Sequence, residues 1–231
     1  MDNNLIMFDV ETQSTWPQIF YTSNSGSRAG QCLEFGRNTV ATTWKFWRTL
    51  HPETVVMTNR NDKKTTIKPE WYNVNPYKDY HERIEPILHP ITNVDPRLPD
   101  REVVLGVHGD GGSAAVLVQR EVAHATIGKS PVVFFSGAPT TNFFNEMPVR
   151  TTFVFENNLE GEVRRFRRTS DDTNGLPRFE DIDSGTVWSI EGIGLEGPLA
   201  GKRLAQMPAL HLYWFAWATF FPNNPILHLR D

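Results

Sequence analysis

Short runs of alternating or wholly apolar residues, separated by glycine-rich turns, dominate the chain. Glu102–Val107 and Ser113–Gln119 flank an Asp-Gly-Gly turn, and this arrangement predicts a β-hairpin. Val132–Phe135 is apolar throughout, which is typical of a buried strand. Further strands or hairpins are predicted at Leu5–Asp9, Thr15–Trp16, Gln31–Phe35, Thr54–Thr58, Thr151–Phe155 with Glu162–Arg168, Phe179–Ile190 and Ile226–Leu227.

Two segments have the apolar spacing of helices. The pattern predicts a helix over Thr39–Leu50, with Thr39 or Thr42 as its N-cap. It predicts a second, aromatic helix over Ala209–Phe221, which Pro222 stops. A helix that is apolar on all sides is normally buried, so the second helix is expected to lie in the core.

The two predicted helices belong to a longer similarity. The early stretch, Asp9–Val56, is a degenerate copy of the late stretch, Asp181–Ile226, with an offset that drifts from 172 to 170 positions. Three tryptophan pairs fall in register although the chain has 7 tryptophans in 231 residues, which favours an internal duplication over two unrelated aromatic helices. The matched pairs are Asp9 and Asp181, Thr12 and Ser184, Ser14 and Thr186, Trp16 and Trp188, Gly30 and Gly201, Leu33 and Leu204, Trp44 and Trp214, Trp47 and Trp217, Pro52 and Pro222, and Val56 and Ile226.

These patterns together predict a mainly β, antiparallel fold of two degenerate repeats, each with one aromatic helix. Residues 1–58 would form the first repeat, residues 59–99 a proline-rich connecting insert and residues 100–231 the second repeat, around one shared core. About fifty residues of β-like sequence, Pro131–Phe179, precede the late stretch and have no counterpart before the early one. We therefore expect the chain to begin partway through a longer protein, rather than with a shortened repeat, which leaves Leu5–Asp9 as an exposed sheet edge.

Composition excludes several classes of function. A net charge of −4 argues against a nucleic-acid partner. A single cysteine permits neither an internal disulfide nor a cysteine zinc cluster. The chain opens without a signal peptide, and no uncharged apolar run reaches the length of a membrane span, about 18 residues. We expect no nucleic acid and no transmembrane segment, and the small-molecule or protein partner is not identified.

Several motifs carry a resemblance to a known family. The segments MFDVETQSTW, TWKFWRTLHPET, NPYKDYH, VVLGV and the block DSGTVWSI with GPLAGKRL and YWFAWATFFP resemble the prokaryotic family called domain of unknown function 3179. The resemblance covers about Leu5 to Leu227. It implies an exported, periplasmic or membrane-tethered protein. It also implies a fuller N-terminal part with a Cys-x-x-Cys motif, which this sequence does not contain.

Candidate site residues lie mainly where the two stretches differ and in the insert. His81 stands beside Tyr77 and Tyr80 in an irregular segment, and sites tend to lie on loops held by a scaffold. His51 ends the first helix where the late stretch has Phe221, and Cys32 stands where it has Arg203. The bland alternatives are a helix-capping histidine, a small buried thiol and a surface cluster that pins the insert.

Other features have mainly structural explanations. Trp44 and Trp47 are candidates to line a ligand groove opposite the late aromatic helix, although core packing is the simpler expectation. His108 and Asp110 flank a turn that itself needs aspartate and glycine. The cationic run Arg164–Arg168 is expected to split between two strand faces and pair with nearby acids.

Two hypotheses follow for function. The first is a ligand-binding or structural module of an exported protein, with any site between the repeats and under the insert. The second is a metal-dependent or hydrolytic enzyme that uses His81 and His51, with Cys32 as a weaker participant. No catalytic elbow, zinc-protease motif or dinucleotide fingerprint occurs, so the sequence names no cofactor or metal. A third possibility is a fragment whose site lies in a missing N-terminal segment.

Overall fold

The computed structural model describes residues 4–33, 39–56, 80, 86–87, 90–91, 94–141 and 148–230. The described chain is mainly β, with two seven-residue helices. The helices are α1 (Trp44–Leu50) and α2 (Trp214–Phe220). The strands are β1 (Ile6–Asp9), β2 (Ser14–Pro17), β3 (Val103–Gly109), β4 (Gly112–Val118), β5 (Val122–Ile127), β6 (Ser130–Ser136), β7 (Thr140–Thr141), β8 (Pro148–Val149), β9 (Thr152–Glu156), β10 (Asn158–Leu159), β11 (Glu162–Val163), β12 (Phe166–Arg168), β13 (Arg178–Asp181), β14 (Val187–Ser189), β15 (Gly194–Glu196), β16 (Ala205–Gln206), β17 (Ala209–Tyr213) and β18 (Ile226–Leu229).

Three four-stranded sheets organise these elements. Sheet A has the order β17-β3-β4-β18, sheet B the order β16-β9-β6-β5 and sheet C the order β12-β13-β14-β15. The strands β1 and β2, β7 and β8, and β10 and β11 form separate two-stranded pairs. Neighbouring strands run antiparallel except β18, which runs parallel to β4. The predicted antiparallel, mainly β class is therefore confirmed.

Sheets A and B pack face to face and form the central core. Their facing side chains include Leu105 and Val116 from sheet A and Val132 and Phe134 from sheet B, all buried. Strand residues alternate between the two faces of a sheet, so each central sheet also presents a second apolar face outwards. The outer layers cover those faces.

Each outer layer combines elements from both stretches. Val133 and Phe135 of sheet B pack against sheet C, and Phe46 of α1 joins this cluster. On the other side of the molecule, Val104 of sheet A packs with α2 and with Ile19 of the early stretch. Each helix thus lies in the layer of the other stretch, and both stretches contribute to a continuous set of contacts.

The helices are shorter than the sequence predicts. Helix α1 begins at Trp44 rather than Thr39, because the Thr43 side chain accepts a hydrogen bond from the Phe46 amide and caps the helix. The predicted helix Ala209–Phe221 was wrong over its first five residues. These form β17, which hydrogen-bonds to the edge of β3, and pairing of a sheet edge outweighs helical spacing over so short a run.

Several strand predictions also need correction. Residues 54–56 form no strand, and Cys32 makes only an isolated bridge to Thr22 rather than the predicted strand. A short hairpin forms between β10 and β11, around the turn at Glu160-Gly161. Strand β9, however, pairs with β6 and β16, and β12 pairs with β13, so the predicted pairing of Thr151–Phe155 with Glu162–Arg168 is wrong. Long-range pairing inside sheets B and C replaces it. Strand β5 has no counterpart among the predictions.

The turns at the start of the two stretches have the same hydrogen-bond pattern. The Asp9 carboxylate accepts from the amide and hydroxyl of Thr12, whose hydroxyl also bonds the Ser14 hydroxyl at 2.8 Å. In the late stretch the Asp181 carboxylate accepts from the amide and hydroxyl of Ser184, and that hydroxyl bonds Thr186, also at 2.8 Å. Matched residues therefore make matched contacts.

The helix ends match as closely. His51 and Phe221 each follow a helix, with φ and ψ of −130° and 75° for His51 and −125° and 63° for Phe221. The ring of His51 lies 4.4 Å from that of Trp47, and the ring of Phe221 lies 4.4 Å from that of Trp217. The backbone at this position thus accepts either a histidine or a phenylalanine.

Candidate functional site

The end of α1 brings the early stretch against the late stretch. Residue Leu50 packs on the cluster around sheet C, and His51 follows as the C-cap of the helix. Its amide donates to the Trp47 carbonyl, and this hydrogen bond fixes the backbone that carries the His51 side chain. The ring then reaches Glu191, which lies between β14 and β15 of sheet C.

His51 lies between two carboxylates. Its Nε2 hydrogen-bonds Glu191 Oε1 at 3.1 Å, and its Nδ1 lies 3.4 Å from Glu53 Oε1. The side chains of His51 and Glu191 are 20% and 27% exposed, whereas Glu53 is 75% exposed. A neutral imidazole carries one N–H and donates to one carboxylate, while the imidazolium donates to both. The His51–Glu191 pair is thus partly shielded from water, and both side chains remain partly accessible to a ligand.

Trp47 supplies the apolar wall beside this pair. Its indole ring lies 4.4 Å from the His51 ring, tilted by 44°, and its Nε1–H donates to the Thr54 hydroxyl at 3.0 Å. This hydrogen bond fixes the orientation of the indole and holds the segment that follows α1 against the helix. Trp47 therefore forms a fixed aromatic wall beside the His51 ring.

The same place on the other side of the molecule is apolar. Phe221 matches His51, and its ring lies 5.6 Å from that of Phe20 in an edge-to-face contact. Phe20 matches Glu191, because the residues that follow them, Tyr21 and Gly192, accept hydrogen bonds from the matched amides of Leu33 and Leu204. The preceding residues, Ile19 and Ile190, are both buried. One stretch therefore makes an aromatic pair where the other makes a histidine–carboxylate pair.

Glu191 is the residue that sequence reasoning missed. The signal was available: an acid stands at position 191 where the early stretch has Phe20. The offset between the stretches changes in this turn, which hides the match until the Ile19 and Ile190 positions are compared.

Cys32 lies elsewhere. It is exposed, and its Sγ lies 3.2 Å from the Thr22 hydroxyl. It lines a cavity of about 490 Å³ with Met7, Trp16 and Leu33, whereas the contacts of His51 are to α1, Glu53 and Glu191. The described contacts do not join Cys32 to the His51 pair.

The other predicted binding residues divide between two situations. Tyr77 and His81 lie outside the described residues, as does most of the insert. Tyr80 is held by Arg101, which donates to its carbonyl at 2.7 Å and lies 4.2 Å from its ring. Trp44 is 49% exposed at the start of α1, so it is not part of the apolar core.

His108 forms a separate, partly buried cluster. Its Nδ1 lies 2.8 Å from the Ser113 hydroxyl, and its ring packs on Trp217, Phe221 and Tyr21. Burial lowers the pKa of His108 and raises the pKa of Tyr21 to about 12. Both side chains are thus held in their neutral forms at neutral pH.

The cationic run is neutralised by acids. Arg165 bonds Asp183 at 2.7 Å and Arg167 bonds Glu180 at 2.8 Å. The run therefore pairs with nearby acids as expected, but these two partners come from β13 and the turn after it. Arg164 lies 3.8 Å from the fully buried carboxylate of Asp181. The arginines of this run therefore form ion pairs with acids of sheet C and of its turn.

No three histidine, cysteine, aspartate or glutamate side chains in the described ranges are arranged to hold a metal ion. Within those ranges, neither helix is long and apolar enough to cross a bilayer.

Comparison with known proteins places the chain in a family. The family described as "Protein of unknown function (DUF3179)" matches residues 1–224 of the 231 residues. No curated protein and no solved structure matches the chain. With nearly its whole length matched, and with the motifs named above spread through that range, the chain belongs to the DUF3179 family.

Proposed function

We propose that this protein is a ligand-binding module whose site lies between the early and late stretches, at the pair formed by His51 and Glu191. One observation carries the proposal. A polar pair stands where the matching position holds Phe20 against Phe221. The fold accepts an aromatic pair at that place, so packing does not require the histidine and the carboxylate. Polar groups that packing does not require are commonly functional.

The exposed chemistry of the pair favours a cationic or N–H-donating ligand. The carboxylates of Glu53 and Glu191 accept hydrogen bonds, and the indole face of Trp47 attracts a cation. Glu53 is largely in solvent, so it is free to turn towards a ligand.

The test is a thermal-shift screen of the whole chain against arginine amide, ethanolamine and zinc chloride. A ligand at about 100 times its Kd adds about 2.7 kcal/mol, which raises the Tm of a chain of this size by about 5–10 °C. The double variant His51→Phe, Glu191→Phe is the matched control, because it copies the apolar pair of the other side. The proposal fails if no compound raises the Tm, or if wild type and control respond equally.

A second candidate is a metal-dependent or hydrolytic enzyme. The contact of His51 Nε2 with a carboxylate favours it, because a carboxylate orients a histidine base. However, Nδ1 faces Glu53 rather than a hydroxyl or thiol among the described residues. Zinc that raises the Tm of wild type but not of His51→Phe, together with hydrolysis of an activated ester, would favour the enzyme over the binding module.

The duplication and the export of the protein belong to the same proposal. The matched turns, helix C-caps and Trp contacts support an internal repeat. The proposed repeat boundaries, near residues 58 and 99, come from the sequence. The family resemblance supports an exported or membrane-tethered location. Fractionation of the native host, with detection of the chain outside the cytoplasm, is the measurement for the second point.

A further inference from the structure

Strand β1 has one free edge in the described part of the chain. Gln18 donates to the Leu5 carbonyl, and β1 pairs with β2 from Ile6 to Asp9. Hydrogen-bonding groups alternate between the two edges of a strand, so the N–H and C=O of Ile6 and Phe8 point to the other edge, where no described strand lies. Strand β13 ends at Asp181 as β1 ends at Asp9, and it pairs with β14 as β1 pairs with β2. Unlike β1, it is paired on both edges, by β14 and by β12.

The face of β1 is also uncovered. Met7 and Leu33 are each 41% exposed. Phe179 lies opposite Trp188 as Met7 lies opposite Trp16, and it is 0% exposed; Leu204, the match of Leu33, is 6% exposed. Both exposed residues line the cavity of about 490 Å³. An open apolar cavity beside a free strand edge is the combination that strand-binding proteins use.

The surroundings of β13 show what fills the corresponding place there. The Phe135 ring stacks on that of Phe179 at 4.1 Å, and Phe166 of β12 meets Trp188 edge-to-face at 5.9 Å. Phe166 lies directly opposite Asp181 in the register. Arg164, two residues before it, reaches the Asp181 carboxylate.

We propose that the free edge of β1 and its cavity form a docking site for an extended strand of a partner protein, running antiparallel to β1. The strand carries an aromatic residue opposite Asp9 and an arginine two residues before it. The aromatic ring enters the cavity beside Met7 and Trp16, and the arginine neutralises the Asp9 carboxylate. This proposal is independent of the site at His51.

The probe is a labelled peptide with the sequence of residues 162–170 of this chain, EVRRFRRTS, whose own strand fills the matching place in sheet C. Fluorescence anisotropy follows its binding to the whole chain, and the ¹³C signal of the Met7 methyl group reports the location. The peptide with Phe166→Ala keeps the same charge and is the first control. We expect it to bind at least about tenfold more weakly.

Backbone pairing is tested separately. The carbonyl of Arg165 and the amide of Thr169 bond β13, so the amide of Arg167 faces the same edge. N-methylation of Arg167 should abolish binding, while N-methylation of Arg168 should leave it nearly unchanged. The first change removes a donor to β1, whereas the second lies on the far edge.

Three results would overturn the proposal. They are the absence of saturable binding up to about 1 mM peptide, equal binding of the Phe166→Ala peptide, and an unmoved Met7 signal. Light scattering tests whether a second copy of the chain occupies this edge. A dimer of the free protein that Met7→Asp dissociates would assign this edge to a second copy of the chain instead.

Discussion

Replacing the pair between His51 and Glu191 by two phenylalanines should leave the fold about as stable as it is. Each single change alone should destabilise it. His51→Phe leaves the Glu191 carboxylate against an aromatic ring, and Glu191→Phe leaves Nε2 of the imidazole without its hydrogen-bond partner. Loss of one partner of a buried hydrogen bond costs about 1–3 kcal/mol. Since these side chains are 20% and 27% exposed and regain some hydration, about 1–2 kcal/mol is expected for each single variant.

The double variant restores a matched contact. An edge-to-face aromatic pair contributes about 0.5–1.5 kcal/mol beyond its buried area, which is comparable to the net contribution of about 0.5–1.5 kcal/mol from the hydrogen bond that it replaces. We expect the double variant to lie within about 1 kcal/mol of wild type. The single effects sum to about 2–4 kcal/mol, so a double variant as stable as wild type corresponds to a coupling of about 2–4 kcal/mol in the double-mutant cycle. Urea unfolding followed by tryptophan fluorescence measures all four proteins. Simple addition of the single effects would refute the match with Phe20 and Phe221.

Three further predictions concern the fold. Gly106→Ala should cost about 3 kcal/mol in urea unfolding, because its Cβ would lie 2.2 Å from the Trp217 ring. Thr43→Ala should cost about 1 kcal/mol in the same assay through loss of the N-cap, and Thr43→Ser should restore most of it. Desolvation and the charge of Arg120 lower the pKa of His124, whose Nε2 accepts from the Phe166 amide. The unfolded chain therefore binds the proton more readily, so Tm should fall as the pH drops below about 6.5. His124→Gln, which keeps an acceptor, should lose that part of the pH dependence; an unchanged profile would contradict this.

The sequence predicted the local part of the fold well. The hairpin of β3 and β4 followed from an Asp-Gly turn between apolar runs, and the burial of β6 followed from its uninterrupted apolar residues. These features depend on neighbours in the chain. The pairing of β9 with β6 and of β17 with β3 joins distant segments, and alternation of side chains does not identify which distant strand lies alongside.

The sequence predicted one of the two residues of the site. His51 emerged from the sequence because it differs from its matched residue Phe221. Its partner Glu191 is 140 residues away, and the exchange of helices between the outer layers brings the two together. Such an exchange is a property of packing between layers, which no local pattern encodes. Cys32 also differs from its match, yet it lines the cavity beside β1 and makes no described contact with His51.

The most direct test of the site is an NMR titration of the histidine-labelled protein with the strongest stabiliser from the thermal-shift screen. We predict that the ring signals of His51 move saturably and that those of His108, in its separate cluster, stay in place. The Glu191→Gln variant should weaken the response of His51. A ligand that raises the Tm while the His51 signals remain unchanged would contradict a binding site at this pair.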